Sequence, residues 1–502
     1  MRSPDPGAEP RRPDHLGRPE QAQDRPDRTD SAHRADPNTP DEPRTGGDPN
    51  RSQDQDTAQD QPSDRDPTAD PERVQDGAEP DRANDPGPTP DERRDTADAQ
   101  DADDATHTFL MVCTEYSPEK GGVVVFNRAL AEALADAGHN VIVRIGEDAS
   151  RYADAQRPNL RIIGPRDLPA SPDSRKLLGT ADDPDDMPDN VDFVIGHTRF
   201  SGPDAAATRD ARYPDAKLVH FVHMVPEALG RVKADDDPND RAAGIVNHAI
   251  ERDLVARADL AVGVGPAIAE NVREMVEQAR AAGGPVATKE VHELIPGMEF
   301  VDRRPRSIEG REMKVLLFGR ADVGQKGAKE AARVVSMLQA AGRPVQLTVR
   351  GVPAKQVVEQ QEQLAVVARA EVEVRPFTTD RADLHTDLDD ADVMVMTSRA
   401  EGFGLTAQEA AGAGVPVVVP SSSGFGRWLG DGFSAANAGP SIVEQGFEDR
   451  VPEDRWFEAL KNVADNYDDA QERALALQQE FKDQNVTWSG TVESLIDALG
   501  RL

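Results

Sequence analysis

From Phe109 onward the chain repeats one unit: a short apolar run, a loop carrying glycine, an amphipathic helix, and another short apolar run. Apolar runs of this length, punctuated by glycine and separated by helical segments, fit buried parallel strands joined by crossover helices. The clearest copy spans residues 392–420 and reads D-V-M-V-M-T-S-R-A-E-G-F-G-L-T-A-Q-E-A-A-G-A-G-V-P-V-V-V-P. Val393 to Met396 predict a strand, Thr397 to Gly404 a loop, and Leu405 to Ala413 a helix stopped by Gly414 and Pro416. Val415 to Val419 predict the next strand. Glu401 and Glu409 flank the helix start. Unpaired N–H groups at a helix start bind phosphate or hydroxyl oxygens, and carboxylates beside them accept hydrogen bonds from sugar hydroxyls. The same text also fits an ordinary strand–helix–strand unit with solvated glutamates.

The unit first appears at Phe109 to Cys113, a strand, followed by a loop ending in Gly121-Gly122. Val123 to Ala137 then form a helix with Phe126, Leu130 and Leu134 on one face, and Val141 to Ile145 the next strand. A glycine pair before a helix permits close backbone approach to a ligand. Further strands are expected at 160–163, 191–195, 218–223, 260–264 and 293–295. Pro203 and Pro266 stand at first helical positions. His223 falls at a strand's C-terminal end, where open parallel sheets place ligands. His220 lies mid-strand and reads as a core histidine, while His197 and Arg199 follow the preceding strand and are candidates to line the other side of the opening. Cys113, the chain's one cysteine, excludes an internal disulfide and reads as a buried thiol.

In the second half, Lys314 to Phe318 run into Gly319-Arg320, with Lys326-Gly327 and a helix from Ala328 to Ala341 beyond. Two cations at a strand end and a helix N-terminus suit a diphosphate, arginine as a fork and lysine as a mobile point charge. Strands at 345–349 and 372–374 and a short helix at 383–389 follow. Residues 421–426, S-S-S-G-F-G, read as a flexible loop, and helices fill 452–502.

The first 105 residues are a different material. They hold 14 basic against 29 acidic residues, a net charge of −15, no aromatic residue, and no large aliphatics except Leu16 and Val74. Such a segment cannot bury enough apolar surface to offset ordering entropy, so a disordered arm is expected. The chain's net charge of −35 argues against nucleic acid and anionic membranes as partners. With no eighteen-residue apolar run there is no transmembrane helix, and a cytoplasmic location is expected.

The E-x7-E spacing around G-F-G-L resembles the signature of retaining GT-B glycosyltransferases, in particular the glycosyl transferases group 1 type, glycosyltransferase family 4. The run G-G-V-x-x-F-N-R-x-L-A-x-A-L-A-x-A-G-H-x-V and the G-R…K-G pair resemble the same family, over residues 107 to 500 or so. The resemblance implies an α/β fold of two Rossmann-like domains facing across a cleft: an acceptor domain over 106–300, a nucleotide-sugar donor domain over 301–485, and a helix over 486–502 crossing back. It implies a hexosyltransferase-like enzyme moving a sugar from a nucleotide-diphosphate sugar, with no resident cofactor and no metal. In it His223, Arg320, Lys326 and Glu401 are the catalytic group. Gly121, Gly122, Phe403, Gly404, Leu405 and Glu409 bind the donor. The chain departs from the pattern at Pro296-Gly297-Met298-Glu299 and at Gly424 to Trp428. Those departures leave room for a non-catalytic nucleotide-sugar sensor or interaction module on the same fold, with the arm for docking. An epimerase or a phosphorylase fits the E-G-F-G-L loop less well. No residue singles out the base or the acceptor.

Overall fold

The computed structural model describes residues 106–165, 173–178, 187–235, 237–319, 324–444 and 451–502. The N-terminal arm, the catalytic candidate Arg320 and most of the acidic loop at 181–190 lie outside them.

Two all-parallel sheets carry the fold. The first has seven strands: β1 (Thr108–Val112), β2 (Asn140–Arg144), β3 (Leu160–Ile163), β4 (Phe193–His197), β5 (Lys217–Val222), β6 (Leu260–Val264) and β7 (Val291–Leu294). Their order is β3-β2-β1-β4-β5-β6-β7. The second has six: β8 (Met313–Phe318), β9 (Val345–Val352), β10 (Val372–Pro376), β11 (Val393–Val395), β12 (Val417–Pro420) and β13 (Ile442–Val443), in the order β10-β9-β8-β11-β12-β13. In each sheet the order reverses beside the first strand, between β1 and β4 and between β8 and β11. A parallel sheet with such a switch point opens a crevice at its C-terminal edge. Leu110, Val194, Phe221, Val262, Leu347, Val393 and Val418 are fully buried, as strands covered on both faces require. This is the two-domain GT-B arrangement.

The strand pattern held to within a few residues; two local expectations did not. The helix expected to open at Pro203 begins at Thr198 and carries Pro203 inside it. The extra turn is held by a distant group: the Glu251 carboxylate accepts the Arg199 N–H at 3.0 Å. Residues 421–426 are no flexible loop, because Ser423 caps the helix Gly424–Gly432 by accepting the Gly426 N–H. The helices Pro226–Lys233 and Val357–Ala368 add to the elements expected from the sequence.

The last helix, Trp488–Leu499, packs on the N-terminal sheet's side. Trp488 meets Phe126 edge-on at 5.6 Å between centroids, and the Thr491 hydroxyl donates to the Ile295 carbonyl at 2.8 Å. Gly297 lies against the backbone of Trp488, where a side chain would clash. Among the described residues no helix is long and apolar enough to cross a membrane.

Candidate functional site

The two sheets present their C-terminal edges to each other, and helix starts meet there. Gly122 opens the helix Gly122–Asp136 and Leu405 opens Leu405–Gly412. A β-carbon on Gly122 would sit 3.9 Å from Leu405 Cδ1. Gly121, at φ +110°, turns the chain into its helix and accepts the N–H groups of Val124 and Val125. Beside them Gly402 lies against the His223 carbonyl, and Gly265 against the Phe403 ring. Helix starts carry partial positive charge and unpaired N–H groups, so their convergence favours an anion.

On the C-terminal side Gly404 adopts φ +103°, a left-handed cap that frees the following amides. The Phe403 side chain is buried against Phe425 and Trp428, so only its backbone is available to a ligand. The 402–403 loop is pinned from behind: its two carbonyls accept the N–H groups of Gly424 and Phe425 at 2.8 and 2.6 Å. A β-carbon on Gly424 would come within 2.8 Å of the Gly402 oxygen, so that position requires glycine. Lys326 and Glu401, expected near each other from the motifs, form an ion pair at 2.8 Å with both side chains mostly covered. Lys326 lays its methylenes against Gly319 at the end of β8. Glu409 stands on the helix Leu405–Gly412 with its surface exposed; partial desolvation raises its carboxyl to about 7, with Arg381 opposing and Glu299 adding to the rise.

On the N-terminal side a chain of hydrogen bonds runs into the fold. His197 Nδ1 lies 3.0 Å from His223 Nε2, and His197 Nε2 lies 2.8 Å from Asn127 Oδ1. His223 is partly exposed, whereas His197 and Asn127 are fully buried. His197 therefore does not line the acceptor side; it acts on the opening through His223. Burial, with the neighbouring histidines' charge, pushes His197 well below the usual range and His223 down to about 3, so both are neutral near pH 7. With Asn127 Oδ1 accepting, His197 carries its proton on Nε2. His223 must then donate from Nε2, which leaves its Nδ1 as an acceptor. Asn127 Nδ2 is buried without a partner.

His220, the expected core histidine, is fully buried and bonds Glu251 at 2.7 Å. Cys113 is buried, its thiol pushed up to about 12 by desolvation, which suits a structural residue.

Asn127, Glu251 and the 424–425 amides were not legible as site residues. Asn127 stands in the F-N-R run read only as a helix face; its position one residue past Phe126, within the motif, was the available signal.

Residues 110–495 match the family model described as "GT4-conflict: Family 4 Glycosyltransferase in conflict systems". A glycogen synthase of Mycobacterium tuberculosis is 26% identical over 409 residues, covering 74% of this chain and 89% of the relative. Among solved structures, a sucrose-phosphate synthase from Thermosynechococcus elongatus superposes with a TM-score of 0.57 at 16% identity, over 79% of this chain and 98% of that one. WaaG, a glycosyltransferase involved in lipopolysaccharide biosynthesis, superposes with a TM-score of 0.52 at 15% identity, over 78% and 99%. The structural likenesses show the fold, and the family match covers most of the chain: this protein belongs to the family 4 glycosyltransferases in conflict systems and is a glycosyltransferase of the GT-B type.

Proposed function

We propose that the chain transfers a sugar from a nucleotide-diphosphate sugar to an acceptor with retention of anomeric configuration. In this reading residues 106–300 take the acceptor and 301–485 the donor. The observation that carries it is the meeting of two helix starts, at Gly122 and Leu405, beside the Lys326–Glu401 pair. A diphosphate between those starts would draw Lys326 away from Glu401. Lys326, with Arg320, then balances the charge that builds on the leaving diphosphate. Glu401, released, and the backbone of Phe403 to Leu405 orient the sugar. Glu409 accepts from the ribose hydroxyls. His223, neutral and with Nδ1 as acceptor, takes a hydrogen bond from a sugar hydroxyl, and no proton transfer is asked of it. Nothing in the scheme calls for a resident cofactor.

The test is a binding and turnover screen of UDP-, GDP- and ADP-sugars, with Lys326→Ala and Glu409→Ala alongside. The reading expects one nucleotide class to bind and turn over, with weaker binding in both variants. No binding by any class would sink it. Binding without turnover over a broad acceptor panel would favour a nucleotide-sugar sensor.

A further inference from the structure

We infer that the acceptor is anionic, bearing a phosphate or carboxylate, and that Arg175 and Arg199 grip that group at the edge of the N-terminal sheet. The inference rests on the assignment of 106–300 to the acceptor.

Both guanidiniums stack on one ring: the Cζ atoms of Arg175 and Arg199 lie 4.2 and 4.1 Å from the Phe200 centroid. Among the described residues neither has a carboxylate at ion-pair distance. Several other arginines do carry carboxylates: Arg350 and Arg375 share Asp387, Arg311 and Arg306 share Asp392, and Arg427 takes Glu270. Two neighbouring cations repel each other: burial first, and to a lesser extent the charge of Arg175, hold the Arg199 guanidinium below its ordinary range against the pull of the Glu251 carboxylate. An aromatic face offsets part of that repulsion. A bridging anion would relieve the rest, through the bidentate geometry that arginine offers phosphate and carboxylate.

The pair is also held in place. Arg199 follows Thr198, a buried β-branched residue at φ +45°, a conformation that persists only where the surroundings impose it. The Glu251 carboxylate fixes the next amide by accepting from Arg199 N–H. Arg175 rides on the short helix Ser174–Leu178. Ser174 donates to Glu115, just beyond β1, and its carbonyl lies against Gly146, just beyond β2. The carboxylates beside this seat are engaged: Glu115 accepts the hydroxyls of Ser174 and Thr114, and Asp173 accepts the Arg175 N–H at 3.3 Å and pairs with Lys176. Arg199 stands two residues beyond His197, whose ring bonds His223. The grip therefore sits at the same sheet edge as the histidine facing the opening.

Calorimetric titration of the full chain with inorganic phosphate, glucose 6-phosphate, glucuronate and neutral glucose tests this. Lys326→Ala accompanies it, because phosphate can also occupy the donor cations. The expected result is that at least one anion binds and that Arg175→Gln/Arg199→Gln weakens it by roughly tenfold or more, with Lys326→Ala retaining it. Unchanged nucleotide-diphosphate binding will show that the double variant is folded; if it is not, Arg175→Gln alone, at an exposed position, serves. The inference fails if no anion distinguishes wild type from the arginine variant, if glucose matches glucose 6-phosphate, or if only Lys326→Ala abolishes binding. Failure of wild type to bind any nucleotide would instead count against the donor reading.

Discussion

The two sheet edges that face each other handle charge in opposite ways. On the C-terminal edge buried carboxylates are saturated with cations. Asp387, fully buried, is shared by the guanidiniums of Arg350 and Arg375 near the ends of β9 and β10. On the N-terminal edge the groups at the opening are neutral histidines and two arginines without an ion-pair partner among the described residues. The buried acid there, Glu251, spends its oxygens on His220 and a backbone amide. A saturated edge is pre-set and can release one cation to a diphosphate. An unsaturated edge waits for a ligand to complete it. That division suits an invariant donor group on one side and an acceptor selected by its own charge on the other.

The comparison breaks most visibly at its one movable ion pair. Lys326→Ala should lower the turnover number by about a hundredfold or more, the scale of losing one charge-stabilising group, read from initial rates at saturating donor. An unchanged rate would remove Lys326 from the chemistry. Next in size is the matched carboxylate. Arg350→Ala leaves Asp387 buried with Arg375 alone against it and should cost about 3 kcal/mol in denaturant unfolding, while an exposed pair such as Arg157–Asp136 should cost under about 1 kcal/mol.

The neutral relay gives a smaller effect. Asn127→Ala removes the group that fixes the His197 tautomer, so His223 loses its enforced acceptor. Turnover should fall about tenfold with the nucleotide's Kd unchanged. A change in Kd alone would make Asn127 a packing residue.

The smallest effect is one of pH, and the two edges should differ in sign. His197 and His223 have folded values below the unfolded histidine value near 6.5, so below about pH 6.5 the unfolded chain binds more protons and the N-terminal half loses stability on acidification. Glu409 has a raised value, so between about pH 4.5 and 7 the folded chain binds more protons and its neighbourhood loses stability as pH rises. If Glu409 accepts from the ribose as proposed, donor binding should tighten over that same rise and release a proton. Hydrogen exchange at several pH values separates the two halves; parallel trends in both would refute the contrast.

Much of this was readable before the fold. Strands such as Val393 to Val395 are buried on both faces, so their apolar runs announce them, and short glycine motifs carry the donor edge. The rest depends on partners far away in sequence. Pro203 reads as a helix start because the Glu251 carboxylate that extends the helix comes nearly fifty residues later. Residues 421–426 read as a loop because serine and glycine favour one, yet here they cap a helix and brace the 402–403 carbonyls. Arg175 stood in a loop-rich stretch, and nothing local could pair it with Phe200. Donor motifs are local because phosphate is bound by consecutive backbone amides. In the proposed reading, acceptor recognition is assembled from separate strand ends and would leave no contiguous signature.

The central claim is that both edges hold one diphosphate between the helix starts at Gly122 and Leu405. A double-mutant cycle tests it most directly, with Gly122→Val on one edge, Lys326→Ala on the other, and the Kd of the nucleotide diphosphate as the readout. The account predicts that each change weakens binding and that the two are coupled by about 0.5 kcal/mol or more. Losses that simply add, or a Gly122→Val protein that binds as tightly as wild type, would contradict it.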